Sequence, residues 1–198
     1  MSRIGDFAPD DVASWITKSP DLGTAMAAFS SAVYSDRNRL PMRVRELARA
    51  VIAHDNECVL CQNTRDADGP AAGVDEELYD HALEWRTWPG YTEQERVAAE
   101  FAHRFGTDHA KLRDDEDFWE RAHEQFSDEL LTDLTLSCAM WVGMGRMLST
   151  LDIGQSGGQY TKVDAGDMQV MVAPGDPSVF GNDPDLLICD EPTTALDV

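Results

Sequence analysis

The sequence predicts an all-α domain, and three observations carry that expectation. Apolar residues recur at helical spacing along most of the chain, beginning with Leu22, Met26, Phe29 and Val33. Start and stop signals bracket several of these runs: Thr92 followed three residues later by Glu95 has the form of a capping box, and the run it opens stops at Gly106. No alternating strand pattern of convincing length precedes about Gln155.

Taken in order, residues 1–20 hold Phe7, Val12, Trp15 and Ile16 between prolines, which suggests a short helix or turn laid over the core. Asp21 is a candidate N-cap for the first firm helix, which ends near Asp36. Leu40-Pro41 opens the next, with Val44, Leu47, Val51 and Ile52 on its apolar side and Glu46 near the border of that face. A polar turn, His54 to Glu57, leads into a further helix that Asp55 or Asn56 would cap, with Cys58 and Cys61 in its first turns. The Gly/Pro-rich DADGPAAGV ends that element. Helices are then expected over residues 75–85, 92–106 and 114–125. From Ser127 a last helix carries Leu130, Leu131, Leu134, Met140 and Met147, apolar enough to predict burial against other helices or another subunit.

From Gly154 the composition turns linker-like, which sets a domain boundary: a helical domain over 1–153 and a short, irregular, acidic, partly disordered tail over 154–198, in which Lys162 is the single basic residue. A chain of 198 residues accommodates one well-cored domain with such an appendage.

Sixteen basic against thirty-seven acidic residues give a net charge of -21, which repels nucleic-acid phosphates and anionic lipid heads. Neither nucleic acid nor membrane is therefore expected as a partner. No apolar run approaches the roughly 20 residues of a membrane span, and the N-terminus lacks a basic-then-apolar leader, so the expected address is cytoplasmic.

The reactive constellation is Glu46 to Arg65, ELARAVIAHDNECVLCQNTR. Thiols at Cys58 and Cys61 lie on one helical turn, close enough to exchange a disulfide or share a metal. The start of a helix favours the thiolate, moving a cysteine below its usual pKa of about 8.5. Zinc wants four ligands and no second half-site lies at suitable spacing, so neither metal nor cofactor is expected. The plainer alternatives are two cysteines that merely pack, and a Glu46 on the helix surface paired with Arg49 or Arg43.

Glu46, eleven intervening residues, Cys58-x-x-Cys61, the TEQER helix and a Phe-Ser-Asp-Glu-Leu-Leu entry to the last helix together resemble the carboxymuconolactone decarboxylase superfamily, nearest its alkyl hydroperoxidase D (AhpD)-like branch, over roughly residues 20–153. The resemblance implies a helical-bundle subunit assembling as a homo-trimer or larger oligomer. It also implies a thiol-dependent peroxidase taking a hydroperoxide and an external reductant, either a small dithiol or a thiol protein. Cys61 would be the peroxidatic thiol, Cys58 the resolving one, and Glu46 a base acting through a relay, its pKa raised by an apolar wall. The family pattern places a histidine four residues after the second cysteine, where this chain has Arg65. A guanidinium stays charged and cannot shuttle protons, though it can attract a thiolate from one turn away. His54 is the substitute candidate for the relay, while His81, His103, His109 and His123 read as ordinary helix or loop residues. Two alternatives stay open: a lyase acting on a lactone without the thiols, and a non-catalytic oligomer whose cysteine pair senses redox state.

The C-terminal DLLICDEPTTALDV resembles the Walker B and D-loop segment of ABC ATPases, with Asp190 toward a metal and Glu191 toward water. No G-x-x-x-x-G-K-[ST] loop exists in the chain to hold the phosphates, so no ATPase activity is expected. Ser156 to Gln159 is read as linker.

Overall fold

Helix α2, Met42–Asp55, is the element against which the others are laid in the computed structural model, which describes residues 2–8, 11–164 and 169–172. Every residue from Val44 to Ala53 is buried, because the helix presents three covered faces instead of one. Val44, Ala48 and Ile52 join Phe101, Phe118, Leu134 and Trp141 in the larger core. Leu47, Ala50 and Val51 pack on Leu78, Trp85 and Tyr91 in a second. The third face is polar and carries Arg45, Glu46 and Arg49.

The all-α expectation holds, with eight α-helices among the described residues; the expected runs appear in order, with a short unexpected helix added at His109–Arg113. Before α2 runs α1, Pro20–Tyr34, preceded by Ser19 and not Asp21. After the cysteine segment come α4 (Glu76–Asp80), α5 (Glu93–Thr107), α6 (His109–Arg113), α7 (Glu116–Gln125) and α8 (Asp128–Thr150). The capping box forms as read: Thr92 accepts from the Glu95 N–H and the Glu95 carboxylate accepts from the Thr92 N–H. Ser127 likewise caps α8 through the Leu130 N–H.

Two expectations need correction. The helix over 75–85 breaks after Asp80 into a short turn at Ala82–Glu84, because the Tyr91 hydroxyl donates to the Leu78 carbonyl at 2.6 Å, the acceptor a continuing helix would use. A strand does precede residue 155: β1, Thr64–Asp66, runs parallel to β2, Tyr160–Asp164, which pairs antiparallel with β3, Gln169–Val172. Three residues are too few to show a period of two, and the strand exists only because its partner arrives from far along the chain.

That pairing crosses the boundary expected at 154. Tyr160 is buried with Leu60, Leu148 and Ile153, and Val12 and Trp15 of the N-terminal segment pack onto the same cluster. Helix α8 buries Leu131, Leu134, Cys138, Met140, Trp141 and Leu148 within the subunit and leaves Leu136 exposed. Among the described residues no helix is long and apolar enough to cross a membrane. The Walker B-like end, with Cys189, Asp190 and Glu191, lies outside the described residues.

Candidate active site

Cys58 and Cys61 are joined as a disulfide with their Cα atoms 5.2 Å apart. The helix expected to carry both is the single turn α3, Val59–Gln62, and its cap is Cys58 itself, not Asp55 or Asn56. Glu57, at φ 50°, turns the chain out of α2 so that the cysteine turn starts afresh. The two sulfurs are unequal: Cys58 is fully buried, whereas Cys61 is half-exposed at the edge of the cluster that holds Trp15 and Met147. Cys58 Sγ accepts from the Cys61 N–H at 3.3 Å.

Glu46 lies behind this turn, fully buried, in a wall that is ionic and not apolar. Its carboxylate accepts from Arg49 Nε at 2.9 Å, from the Tyr79 hydroxyl at 3.0 Å and from Lys162 Nζ at 3.3 Å. Burial alone would push its pKa up, but Arg49, Lys162 and Arg45 outweigh that and hold it well below the usual carboxylate range. The raised pKa expected of a base is thus reversed. The carboxylate reaches the cysteine turn through Arg49, whose Nη1 donates to the Cys61 carbonyl at 2.6 Å and whose Nη2 donates to the Thr64 carbonyl at 2.8 Å. The expected Glu46–Arg49 pair is present, inside the protein instead of on its surface.

Residues 20–104, which include both cysteines and Glu46, match the model of the carboxymuconolactone decarboxylase family. No curated protein matches the chain. Among solved structures, the chain is similar to an Agrobacterium tumefaciens protein of unknown function, described as a candidate antioxidant defence protein AhpD (TM-score 0.61, 22% identity, 76% of this chain and 95% of that one). It is also similar to the debrominase Bmp8 in complex with 2,3,4-tribromopyrrole (0.58, 20%, 70% and 72%). A third is the AhpD core of a peroxidase-related protein from Ralstonia eutropha JMP134 (0.56, 20%, 71% and 78%). At these identities the likeness is one of fold.

Arg65 does not sit one helical turn from Cys61, because α3 has ended and Arg65 lies on β1. Its guanidinium bonds Glu76 twice through Nε, at 3.0 and 3.1 Å, donates to the Gln62 carbonyl at 2.8 Å and stacks 3.9 Å from the Tyr79 ring centre. These bonds occupy the charge that was expected to face a thiolate. His54 and Arg65 do meet, in a cleft of about 250 Å³ lined also by Ala50, Gln62, Tyr79 and Leu83. Burial lowers the His54 pKa from its ordinary value, against the opposing pull of Asp55. A larger, open depression of about 650 Å³ beside Arg104, Lys111 and Asp114 lies on α6 and α7, which carry none of the expected site residues.

Sequence reasoning missed Tyr79 as a partner of Glu46, and missed Gln155 and Lys162 as site residues altogether. Lys162 extends from β2 into the ionic face, 3.3 Å from Glu46 and 3.7 Å from Asp66. Gln155 Oε1 accepts from the Val59 N–H at 2.9 Å, and its Nε2 stands 4.0 Å from Cys58 Sγ. The signal available for Lys162 was its being the one cation in an acidic tail. Among the described residues no group of three or more His, Cys, Asp or Glu is placed to hold a metal ion.

Proposed function

We propose that the protein is a thiol-dependent oxidoreductase that reduces hydroperoxides through Cys58 and Cys61. The observation that carries this reading is the unequal pair, on a stretch that matches the family model: a half-buried Cys61 disulfide-linked to a fully buried Cys58. Cys61, the less buried of the two cysteines, meets the peroxide. Its thiolate attacks the near oxygen, the O–O bond breaks, an alcohol or water leaves, and Cys61 becomes a sulfenic acid. Cys58 then attacks that sulfur, expelling hydroxide as water and forming the disulfide, which an external thiol reductant reopens. The buried position of Cys58 suits resolution, because it excludes bulky competitors from the resolving sulfur.

Glu46 enters this scheme as a positioning residue. Ionised and bonded by Arg49, it fixes the guanidinium that holds the Cys61 carbonyl. The proton acceptor in the scheme is His54, whose pKa burial lowers and which lines a cleft with Gln62, the residue after Cys61. Self-assembly belongs to the same proposal, with Leu22 and Leu136 among the large apolar side chains that one copy leaves outward.

Peroxide consumption with a dithiol reductant tests the reading. Cys61→Ser is expected to abolish turnover, and Cys58→Ser to stall after one equivalent with a sulfenic acid detectable by mass. Full activity in both variants sinks the mechanism. A lactone lyase would survive alkylation of both thiols, which separates the reading that the family's name suggests.

A further inference from the structure

We infer that Gln155 is the residue that makes Cys58 the leaving sulfur when the disulfide is reduced. The inference rests on the dithiol reading above, and concerns which of the two sulfurs an incoming thiol displaces.

The Gln155 side chain is fully committed. Its Oε1 accepts the Val59 N–H at 2.9 Å, which docks the amide against the cysteine turn. One Nε2 hydrogen goes to the Ile153 carbonyl at 2.7 Å, and the other faces Cys58 Sγ at 4.0 Å. The backbone before it is fixed as well. Gly154 has φ +64°, and a Cβ there would meet Leu60 at 2.9 Å and Val12 at 3.0 Å, so the approach of this loop to α3 depends on glycine. Cys58 Sγ therefore has two N–H groups toward it, from Cys61 and Gln155. Both reach the buried sulfur.

The chemical consequence follows for the exchange step. An external thiolate attacks the half-exposed Cys61 sulfur, an S–S bond forms between reductant and Cys61, and the Cys58–Cys61 bond breaks. The electron pair departs on Cys58 as a thiolate. A second thiol of the reductant then displaces Cys61, leaving the protein as a dithiol and the reductant as a disulfide. Charge develops on a sulfur with no exposure to water, which is costly unless donors are already in place. The Gln155 amide supplies one of them, and a hydrogen bond to a charged group is worth about 1.5–3 kcal/mol, roughly tenfold or more in equilibrium.

Gln155→Glu tests the inference, because it keeps an oxygen for the Val59 N–H while replacing the donor facing sulfur by a carboxylate. The full chain is equilibrated at pH 7 in dithiothreitol redox buffers, and the Cys58–Cys61 disulfide fraction is read by mass after thiol trapping. The expected result is at least a tenfold shift toward the disulfide, about 30 mV. In a Cys61→Ser background, thiolate absorbance is expected to show a higher Cys58 pKa with glutamate than with glutamine. Gln155→Leu is expected to shift the equilibrium in the same direction. An equilibrium constant within twofold of the parent in both variants overturns the inference. A parent that equilibrates with dithiothreitol yet consumes no peroxide would instead overturn the peroxidase reading, and the inference would still be decided by the shift.

Discussion

At the scale of single residues, the buried ionic face is the least expected feature of this protein. Two carboxylates, Glu46 and Asp66, face three cations, Arg45, Arg49 and Lys162. The surplus positive charge falls on the group that can shed it. Burial, reinforced by Arg49 and Arg45, brings Lys162 from its ordinary 10.5 to about 7, against the opposing pull of Glu46 and Asp66. The linkage has a definite sign. Between pH 7 and 10.5 the unfolded chain keeps the lysine proton and the folded one does not, so unfolding free energy rises with pH, by up to about 1.4 kcal/mol per unit. Above pH 10 the trend reverses, because Tyr79 is raised by burial and by Glu46 and its folded form resists ionisation. Urea denaturation between pH 7 and 9.5 should show the rise in the parent and a flatter profile in Lys162→Met. At pH 7 that variant should be as stable as the parent or more so, since an apolar replacement leaves two carboxylates facing two arginines. A steep pH profile surviving in Lys162→Met would place the titrating group elsewhere.

At the scale of elements, what could be read from sequence divides by the range of the interaction. Thr92 with Glu95, and Ser127 before α8, were legible because a cap and its N–H lie within three residues. The order of Glu46 and the cysteines was legible for the same reason. Lys162 and Gln155 were not, because each acts on a partner about a hundred residues earlier, and nothing local marks a lysine in a polar run as one that ends beside Glu46. Arg65 was misplaced because helical continuity was assumed past Gln62, where β2 instead draws the chain into β1. The element-scale prediction concerns this sheet. A chain ending at residue 153 loses Tyr160 from the third core cluster and opens the ionic face to water. It should be destabilised by about 3–5 kcal/mol, lowering the melting temperature by roughly 10 °C. A chain ending at residue 172 keeps β1, β2 and β3 and should melt with the full-length protein. Calorimetry of the three chains decides it: equal melting of the 153-residue chain would show that β2 adds nothing to the helical body.

At the scale of the whole molecule, the net charge of -21 acts on whatever approaches the half-exposed Cys61. Nearby cations give little relief, since Arg65 is paired with Glu76 and Arg49 with Glu46. The field reaching a small reductant is therefore that of the acidic surface, screened over about 8 Å at 0.15 M salt and about 30 Å at 0.01 M. A neutral dithiol is indifferent to it, whereas an anionic thiol is repelled on the way in. Reduction of the Cys58–Cys61 disulfide by dithiothreitol should hence be nearly independent of ionic strength, while reduction by glutathione, an anion at pH 7, should speed up several-fold between about 10 mM and 150 mM salt. Stopped-flow measurement of the two rates against salt checks this directly. A salt-insensitive glutathione reaction would mean that local cations around Cys61 dominate the acidic surface, and would point back to Arg65, released from Glu76, as the group an anionic reductant meets.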